Sequence, residues 1–593
     1  IFVTDKIMNL IKTPIDFIKL GKTQNNVLLG DWCLRDEQDV LSTRNSFDIV
    51  PYHWDSRDKY YHDYLYLEQI YEKILTCLSH ELNIIHALNQ DVRYWRIIIG
   101  PWLRFFIDAV FDRYETVRAA MVLGDEIRST IFSYNLDDWC PTDFSEFWND
   151  LLSDEWNEVI FSECLLVQDI PIDFSRKKIY RNETIRPKKW NFANILKKSS
   201  LRTINQYSKI VGPWQRGAIF IGAYIPISKL AKLQLKLGQL PYVRAPVITL
   251  DRLQKDETQR DGICRSPISN AKFESLLGRL VRSLMPKVYL EGFSDFKKRV
   301  VSSLPSNPQS IFTANSYNGD DVFKVWAAEK TAQGVPLIIG QHGGNFGVGF
   351  SNQSEKHQIK IADKFVSWGW VSASEHNITR LPSLQLSGKN PIFTNPNGGI
   401  LHVFSAPARY FYQHFSVPVA GQTLDYLENQ ITFLNSLEKK YLQKVRIRLD
   451  LSGKNSGWNI PDILKDFGFH ENIDKKNNSI INTLQSCRLC VCTQNTTVFL
   501  ETLSLNFPTI IFWDASHYEI RPDAKPFFDL LENAGILYLC PKKAAEQVNR
   551  ITDSVGDWWL QDSIQSARVK FCKQYAFSSD DWLNEWSHFF KEL

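Results

Sequence analysis

The densest chemistry in the sequence lies at 493–501, Thr-Gln-Asn-Thr-Thr-Val-Phe-Leu-Glu. A polar turn, Gln494-Asn495-Thr496-Thr497, follows the apolar run 489–492 and precedes an apolar pattern of helical spacing. That is a strand ending in a turn that opens a helix. The free N–H groups and positive end of such a helix suit a phosphate, and the hydroxyls add donors. Asn495, Thr496 and Thr497 are therefore candidate donor-binding residues. Glu501, one turn further on the face of Thr497, is placed to accept ribose hydroxyls. The plainer reading is a capped helix with Thr496 or Thr497 as N-cap, and capping does not compete with phosphate binding.

A second candidate segment is 338–349, Ile-Ile-Gly-Gln-His-Gly-Gly-Asn-Phe-Gly-Val-Gly. A strand delivers Gln341 and His342 into a loop where Gly343 and Gly344 let the backbone approach a ligand. His342 at that place is a candidate phosphate donor or acid–base group. Glu355 and His357 follow, but their spacing fixes no metal site. The loop lacks the Gly-x-Gly-x-x-Gly pattern that opens a dinucleotide-binding helix. Arg446 and Arg448 alternate in Val-Arg-Ile-Arg-Leu-Asp, face one way, and are candidates for a phosphate or a sugar carboxylate. Ser405 and Arg409, after the strand 400–404, are further donor candidates. Among acids, Asp31 at the end of the first strong strand and Asp55 in His-Trp-Asp-Ser-Arg-Asp are the candidate base or nucleophile. Asp320 and Asp321 read as helix N-terminal acids. Arg57, Arg93, Arg96 and Arg104, set among aromatics, are acceptor-side groups or core ion pairs.

These residues need a scaffold of strands and helices in alternation. Residues 27–33 read as a strand and 59–123 as helix, broken at Gly100-Pro101. Residues 159–167 and 217–226 read as buried strand-like runs. From about 275 to 370 helices and strands alternate. A linker rich in Pro, Gly, Asn and Ser spans 387–399, and the alternation then starts afresh. The predicted fold is α/β and GT-B-like, with two Rossmann-type domains and ligands at the carboxyl ends of parallel strands. Residues 1–390 are the acceptor-side domain with a helical insertion. Residues 398–575 are the nucleotide-sugar domain. Residues 576–593 are a helix that crosses back.

The bulk numbers fit that picture. The chain has 593 residues, too many for one core, and 44% hydrophobic with 23% charged residues is globular composition. A net charge of +3 gives no argument for nucleic acid. A basic strip at 176–199, Arg176, Lys177, Lys178, Arg181, Arg186, Lys188, Lys189, Lys197 and Lys198 against Glu183, is either a solvated loop or a contact with anionic lipid or glycan. The ten cysteines form no disulfide framework and read as reduced. No run approaches the roughly 18 apolar residues of a membrane span. The N-terminal stretch is broken by charges and does not read as a secretory signal. The expected location is cytoplasmic, or peripheral on the inner membrane.

The segments Gly30-Asp31-Trp32-Cys33, Tyr52–Lys59, Tyr94–Leu103, Gly340–Gly347, Ser367–Trp370 and Thr493–Leu503 resemble a family of transferases named after a leptospiral protein. Members accompany surface-polysaccharide and nonulosonic-acid genes, and the C-terminal pattern is similar to Kdo and sialic-acid-type GT-B transferases. The resemblance implies a CMP-activated ulosonic acid as donor and a glycan or lipid-linked glycan as acceptor. Thr496 and Thr497 would take the CMP phosphate, and His342 would lie near the donor. One departure stands out. Those enzymes often carry Arg-x-His-Pro at a strand end where this chain has Arg446-Ile-Arg448-Leu-Asp450. A CMP leaving group needs no metal, so metal-independent transfer without a cofactor is expected. The alternatives are a UDP- or GDP-sugar or polyol-phosphate transferase, and a non-catalytic glycan-binding scaffold.

Overall fold

The computed structural model describes residues 8–21, 25–35, 37, 39–123, 127–181, 216–241, 248, 253–264, 271–405, 407–449, 457–475 and 478–593. They build three five-stranded sheets, each parallel throughout. Interior strands such as β8 and β14 are short apolar runs buried along their whole length, as a sheet covered by helices on both sides requires, whereas the edge strand β5 is polar and largely exposed.

The first sheet holds β1 (Met8–Ile11), β2 (Asn26–Leu28), β3 (Asp48–Ile49), β4 (Ile127–Ser133) and β5 (Ile172–Lys178), in the order β3-β2-β1-β4-β5. The second holds β6 (Ala218–Phe220), β7 (Ser310–Thr313), β8 (Leu337–Gly340), β9 (Lys364–Ser367) and β10 (Ile378–Arg380), in simple sequence order. The third holds β11 (Gly399–Val403), β12 (Val445–Arg448), β13 (Cys487–Cys492), β14 (Thr509–Phe512) and β15 (Leu537–Tyr538), in the order β12-β11-β13-β14-β15. Residues 1–390, expected as one Rossmann-like domain, thus carry two sheets. The second and third units keep the two-part GT-B layout, and a further unit precedes them.

Two long helices, Arg57–His86 and Val92–Ala120, lie between β3 and β4. The expected break at Gly100-Pro101 does not occur, because Pro101 sits inside the second helix. That helix is buried on nearly every side from Tyr94 to Val117. Packing from all directions outweighs the hydrogen bond the proline removes, a cost of about 3 kcal/mol. The same enclosure explains 159–167, which read as a strand and instead closes the helix Asp154–Leu165. A helix buried all round loses its 3.6-residue polar stripe and looks like an apolar run.

The last helix, Trp582–Glu592, returns to the second sheet. Trp586 donates its Nε1–H to the Pro382 carbonyl (2.8 Å) and meets Phe312 edge-on, and Phe590 packs on Phe220. Among the described residues no helix is long and apolar enough to cross a membrane. All ten cysteines are free. Of the basic strip, Arg186, Lys188, Lys189, Lys197 and Lys198 lie outside the described residues. Arg181 is paired with Asp150 and Glu146.

Candidate active site

Strand order reverses between β11 and β13, which opens a crevice at their carboxyl ends. Residues 493–497 leave β13 there, and the helix Thr497–Ser504 begins. Thr496 occupies the N-cap position with extended backbone, yet its side chain accepts no hydrogen bond from the first turn. The expected side-chain cap is thus absent, and the first N–H groups of the helix are left to other partners.

The glycine loop after β8 comes against this turn from the second unit. A Cβ on Gly344 would stand 2.6 Å from the Thr496 carbonyl, and one on Gly343 would stand 3.0 Å from Thr497 Oγ1. Only glycine permits so close an approach of two backbones. Gly347 has φ of +71° and meets the Trp370 ring, so it too must lack a side chain. Gln341 shapes the loop. Its Oε1 accepts from the Trp368 N–H (2.9 Å) and Trp370 Nε1–H (2.8 Å), and its Nε2 donates to the Gly343 carbonyl (2.7 Å). The far end of the loop is strapped to the third unit. Arg521 N–H donates to the Val348 carbonyl (2.8 Å), Arg521 Nε to the Gly349 carbonyl (2.9 Å), and its guanidinium pairs with Glu355. Glu355 also accepts from the Gly347 N–H (2.6 Å).

Between loop and turn lies a cleft of about 430 Å³. His342, Gly343, Gly344, Asn495, Thr496 and Thr497 line it together with a set of aromatic rings. His342 and Asn495 each present a buried polar atom, Nδ1 and Oδ1, without a hydrogen-bond partner. Both residues line the cleft, although these two atoms themselves lie beneath its surface. Burial pushes the His342 imidazole down to about 4, so it is neutral near pH 7 and able to take a proton. Among the described residues, no charged side chain lines the cleft.

The arginines offered by the sequence are committed elsewhere. Arg446 and Arg448 do face one way, but onto the segment 478–487: Arg446 Nη2 donates to Ser486 Oγ (2.6 Å) and Arg448 Nη1 to the Asn478 carbonyl (2.9 Å). Arg409 is fully buried and paired with Asp154 of the first unit (2.6 Å). Ser405 donates its N–H to Tyr426 Oη (2.9 Å), which shares a hydrogen bond with Thr493 (2.8 Å), behind the cleft. Glu501 accepts from Lys389 Nζ (3.1 Å).

Asp31 and Asp55 lie on a different seam, where the first unit meets the start of the helix Gln422–Asn435. A Cβ on Gly421 would stand 2.6 Å from Asp31 Oδ2, and Asp55 Oδ1 accepts from Gln422 Nε2 (3.3 Å). Burial pushes the Asp31 carboxyl up to about 6, opposed by Arg44 and reinforced by Asp425 and Asp55. Neither acid lines the cleft with His342. Asp320 caps the helix Asp321–Thr331 through the Phe323 N–H (3.1 Å). Arg57, Arg93, Arg96 and Arg104 pair with Glu519, Asp363, Glu72 and Glu68.

His342, Glu355 and His357 form no metal set, since Glu355 is spent on Arg521 and His357 packs against Tyr317 (5.8 Å). Among the described residues one other group gathers ligand atoms within 4.8 Å, His53, Asp63 and Glu115. The Lys59 ammonium already bridges its two carboxylates.

The family profile described as LIC12162 family transferase matches residues 8–590. The chain belongs to this transferase family. Because the match runs through all three units, the first unit is part of the family's common body rather than an appendage. No curated protein matches the chain. Looser overlaps exist with solved structures. Acinetobacter baumannii MurG is 9% identical, with 64% of this chain and 100% of that one covered and a TM-score of 0.33. WaaG, a glycosyltransferase involved in lipopolysaccharide biosynthesis, is 10% identical over 63% and 99%, with a TM-score of 0.28. A UDP-N-acetylglucosamine 2-epimerase is 9% identical over 62% and 93%, with a TM-score of 0.31. Overlaps of this size carry no reading of this transferase's substrate.

The sequence pointed to the loop at 342–344 and the turn at 495–497 but gave no sign of the first unit's share in the cleft. Phe105 and Trp148 line it from helices of that unit. Only their aromatic type marked them, and 18 Trp and 37 Phe residues share that mark.

Proposed function

We propose that the cleft transfers a sugar from a nucleotide donor to a surface glycan, and that the donor is a CMP-linked ulosonic acid of the Kdo or nonulosonic type. One observation carries the reading: a helix N-terminus without a side-chain cap and a neutral histidine line the same cleft. Backbone N–H groups and the Thr496 and Thr497 hydroxyls form a neutral grip, matched to a single bridging phosphate. The choice of a CMP donor over a UDP- or GDP-sugar is supported by the family resemblance of residues 493–503, since a CMP-ulosonic acid and a nucleoside-diphosphate sugar both carry two negative charges.

In this reading the acceptor hydroxyl oxygen bonds to the anomeric carbon while the bond from that carbon to the phosphate oxygen breaks. The electron pair leaves on the phosphate as CMP, and the acceptor proton passes to the His342 imidazole. The helix N-terminus stabilises the charge that develops on the departing phosphate. The base role thus falls to His342 rather than to Asp31 or Asp55, which sit on the other seam. The step needs no metal. The acceptor is a glycan, free or lipid-linked.

The test is nucleotide release by the purified chain from CMP-Kdo, a CMP-sialic-type sugar, UDP-sugars and GDP-sugars, with glycan acceptor present. Release from the CMP donors is expected. Release from UDP- or GDP-sugars alone overturns the donor, and binding of nucleotide without release from any donor favours a scaffold.

A further inference from the structure

The cleft has an aromatic corner assembled from two units. Phe105 comes from the helix Val92–Ala120, Trp148 from the helix Phe144–Leu151, and Tyr412 from the loop that follows β11. Phe105 and Trp148 stand 5.4 Å apart, Trp148 and Tyr412 5.2 Å, and Phe105 and Tyr412 6.0 Å. Phe144 lies nearly parallel to the indole of Trp148 at 6.2 Å, and Trp148 is only half-buried. The corner is rigid. The Tyr412 loop is pinned by Arg113 on the Phe411 carbonyl (2.5 Å) and by Asp154 on Tyr410 Oη (2.7 Å). The amides of Asn318 and Gln413 line the same cleft.

We propose that this corner is the acceptor subsite and that it holds an uncharged pyranose ring stacked on Trp148, with the Tyr412 ring, set at 81° to the indole, against its rim. The flat apolar face of a pyranose suits exposed aromatic rings, and the two side-chain amides suit its hydroxyls. Rings and amides make up this corner, and no described residue of it is a cation, so a neutral ring is favoured there over an anionic one. The word acceptor rests on the transfer reading above. The ring-binding corner itself does not.

The test uses the full chain and a pair of methyl glycosides, one neutral hexopyranoside and one hexuronide, followed by saturation-transfer NMR, with CMP affinity measured in parallel by calorimetry. Wild type should bind the neutral glycoside in preference to the hexuronide. Trp148→Ala should weaken that binding about tenfold and Trp148→Phe should keep most of it, while CMP affinity stays within about twofold. A melting curve checks each fold, and if Trp148→Ala fails to fold, Tyr412→Ala carries the same readout. Unchanged glycoside binding in the alanine variant, a preference for the hexuronide, or no glycoside binding to wild type overturns the proposal. Trp148-dependent glycoside binding without CMP binding leaves the subsite standing and removes the transfer reading instead.

Discussion

The first and third units are both doubly wound sheets whose strand order reverses once, yet one crevice is filled and the other is open. In the first unit the reversal falls between β1 and β4, and the loop 409–414 of the third unit enters there. Phe411 packs on Trp54 (4.4 Å), Tyr410 lies 5.9 Å from Trp32, and Arg113 and Asp154 hold the loop. Behind it Lys12, Asp16 and Glu158 form a wholly buried ion cluster. In the third unit the reversal falls between β11 and β13, and the crevice opens onto a cleft whose described lining is rings, amides, hydroxyls and His342. The same topology therefore serves two ends. A loop held by paired charges fills one crevice, and the other stays open to a ligand.

The largest effect expected from this contrast is on turnover. His342→Ala should lower the rate by about 10²- to 10⁴-fold, the range for loss of a proton-transfer group. Its melting temperature should stay near wild type. A loss of folding without a specific loss of rate would make His342 a core residue and erase the difference between the crevices. The reverse pattern belongs to Arg113. It is fully buried against Asp112 (2.9 Å), and Arg113→Ala removes that partner together with the donors to Asn157 Oδ1 (2.8 Å) and the Phe411 carbonyl (2.5 Å). Denaturant titration should find a loss of about 3–5 kcal/mol. A loss under about 1 kcal/mol would mean that the clamp is not held by its charges.

The pairing of loop 342–344 with turn 495–497 was legible because each announces itself locally, as glycines after a strand or a polar turn before a helix. The arginines were not. Alternation put Arg446 and Arg448 on one face, but which face meets the cleft depends on the segment 478–487, which takes both. Arg409 looked like a ligand contact because its partner Asp154 lies 255 residues away. The first sheet escaped notice for a physical reason. The long helices Arg57–His86 and Val92–Ala120 separate β3 from β4, so strands and helices do not alternate there at the short spacing that marks the later sheets.

A smaller effect concerns pH. Burial holds the His342 imidazole near 4, below its ordinary 6.5, so the neutral base persists through the physiological range. Turnover under saturating donor should stay level from pH 8 to about 5 and fall as pH drops toward 4. A fall centred near 6.5 would place the histidine in water. The smallest effect is at the seam. Asp31 has its folded pKa raised from 3.8 to about 6, so the folded state binds more protons than the unfolded one in that window. Stability from this group is present below pH 4 and is lost as pH rises through 6. Asp31→Asn should therefore melt higher than wild type at pH 7.5 and equal to it at pH 4. A lower melting temperature at pH 7.5 would assign Asp31 an attractive partner instead.

Amide hydrogen exchange with and without CMP tests the central contrast most directly, because it reads both crevices in one experiment. The account predicts slowed exchange at 343–347 and 495–500, with no change at 12–16, 31–35 or 409–411. Protection confined to the first unit's crevice would contradict it.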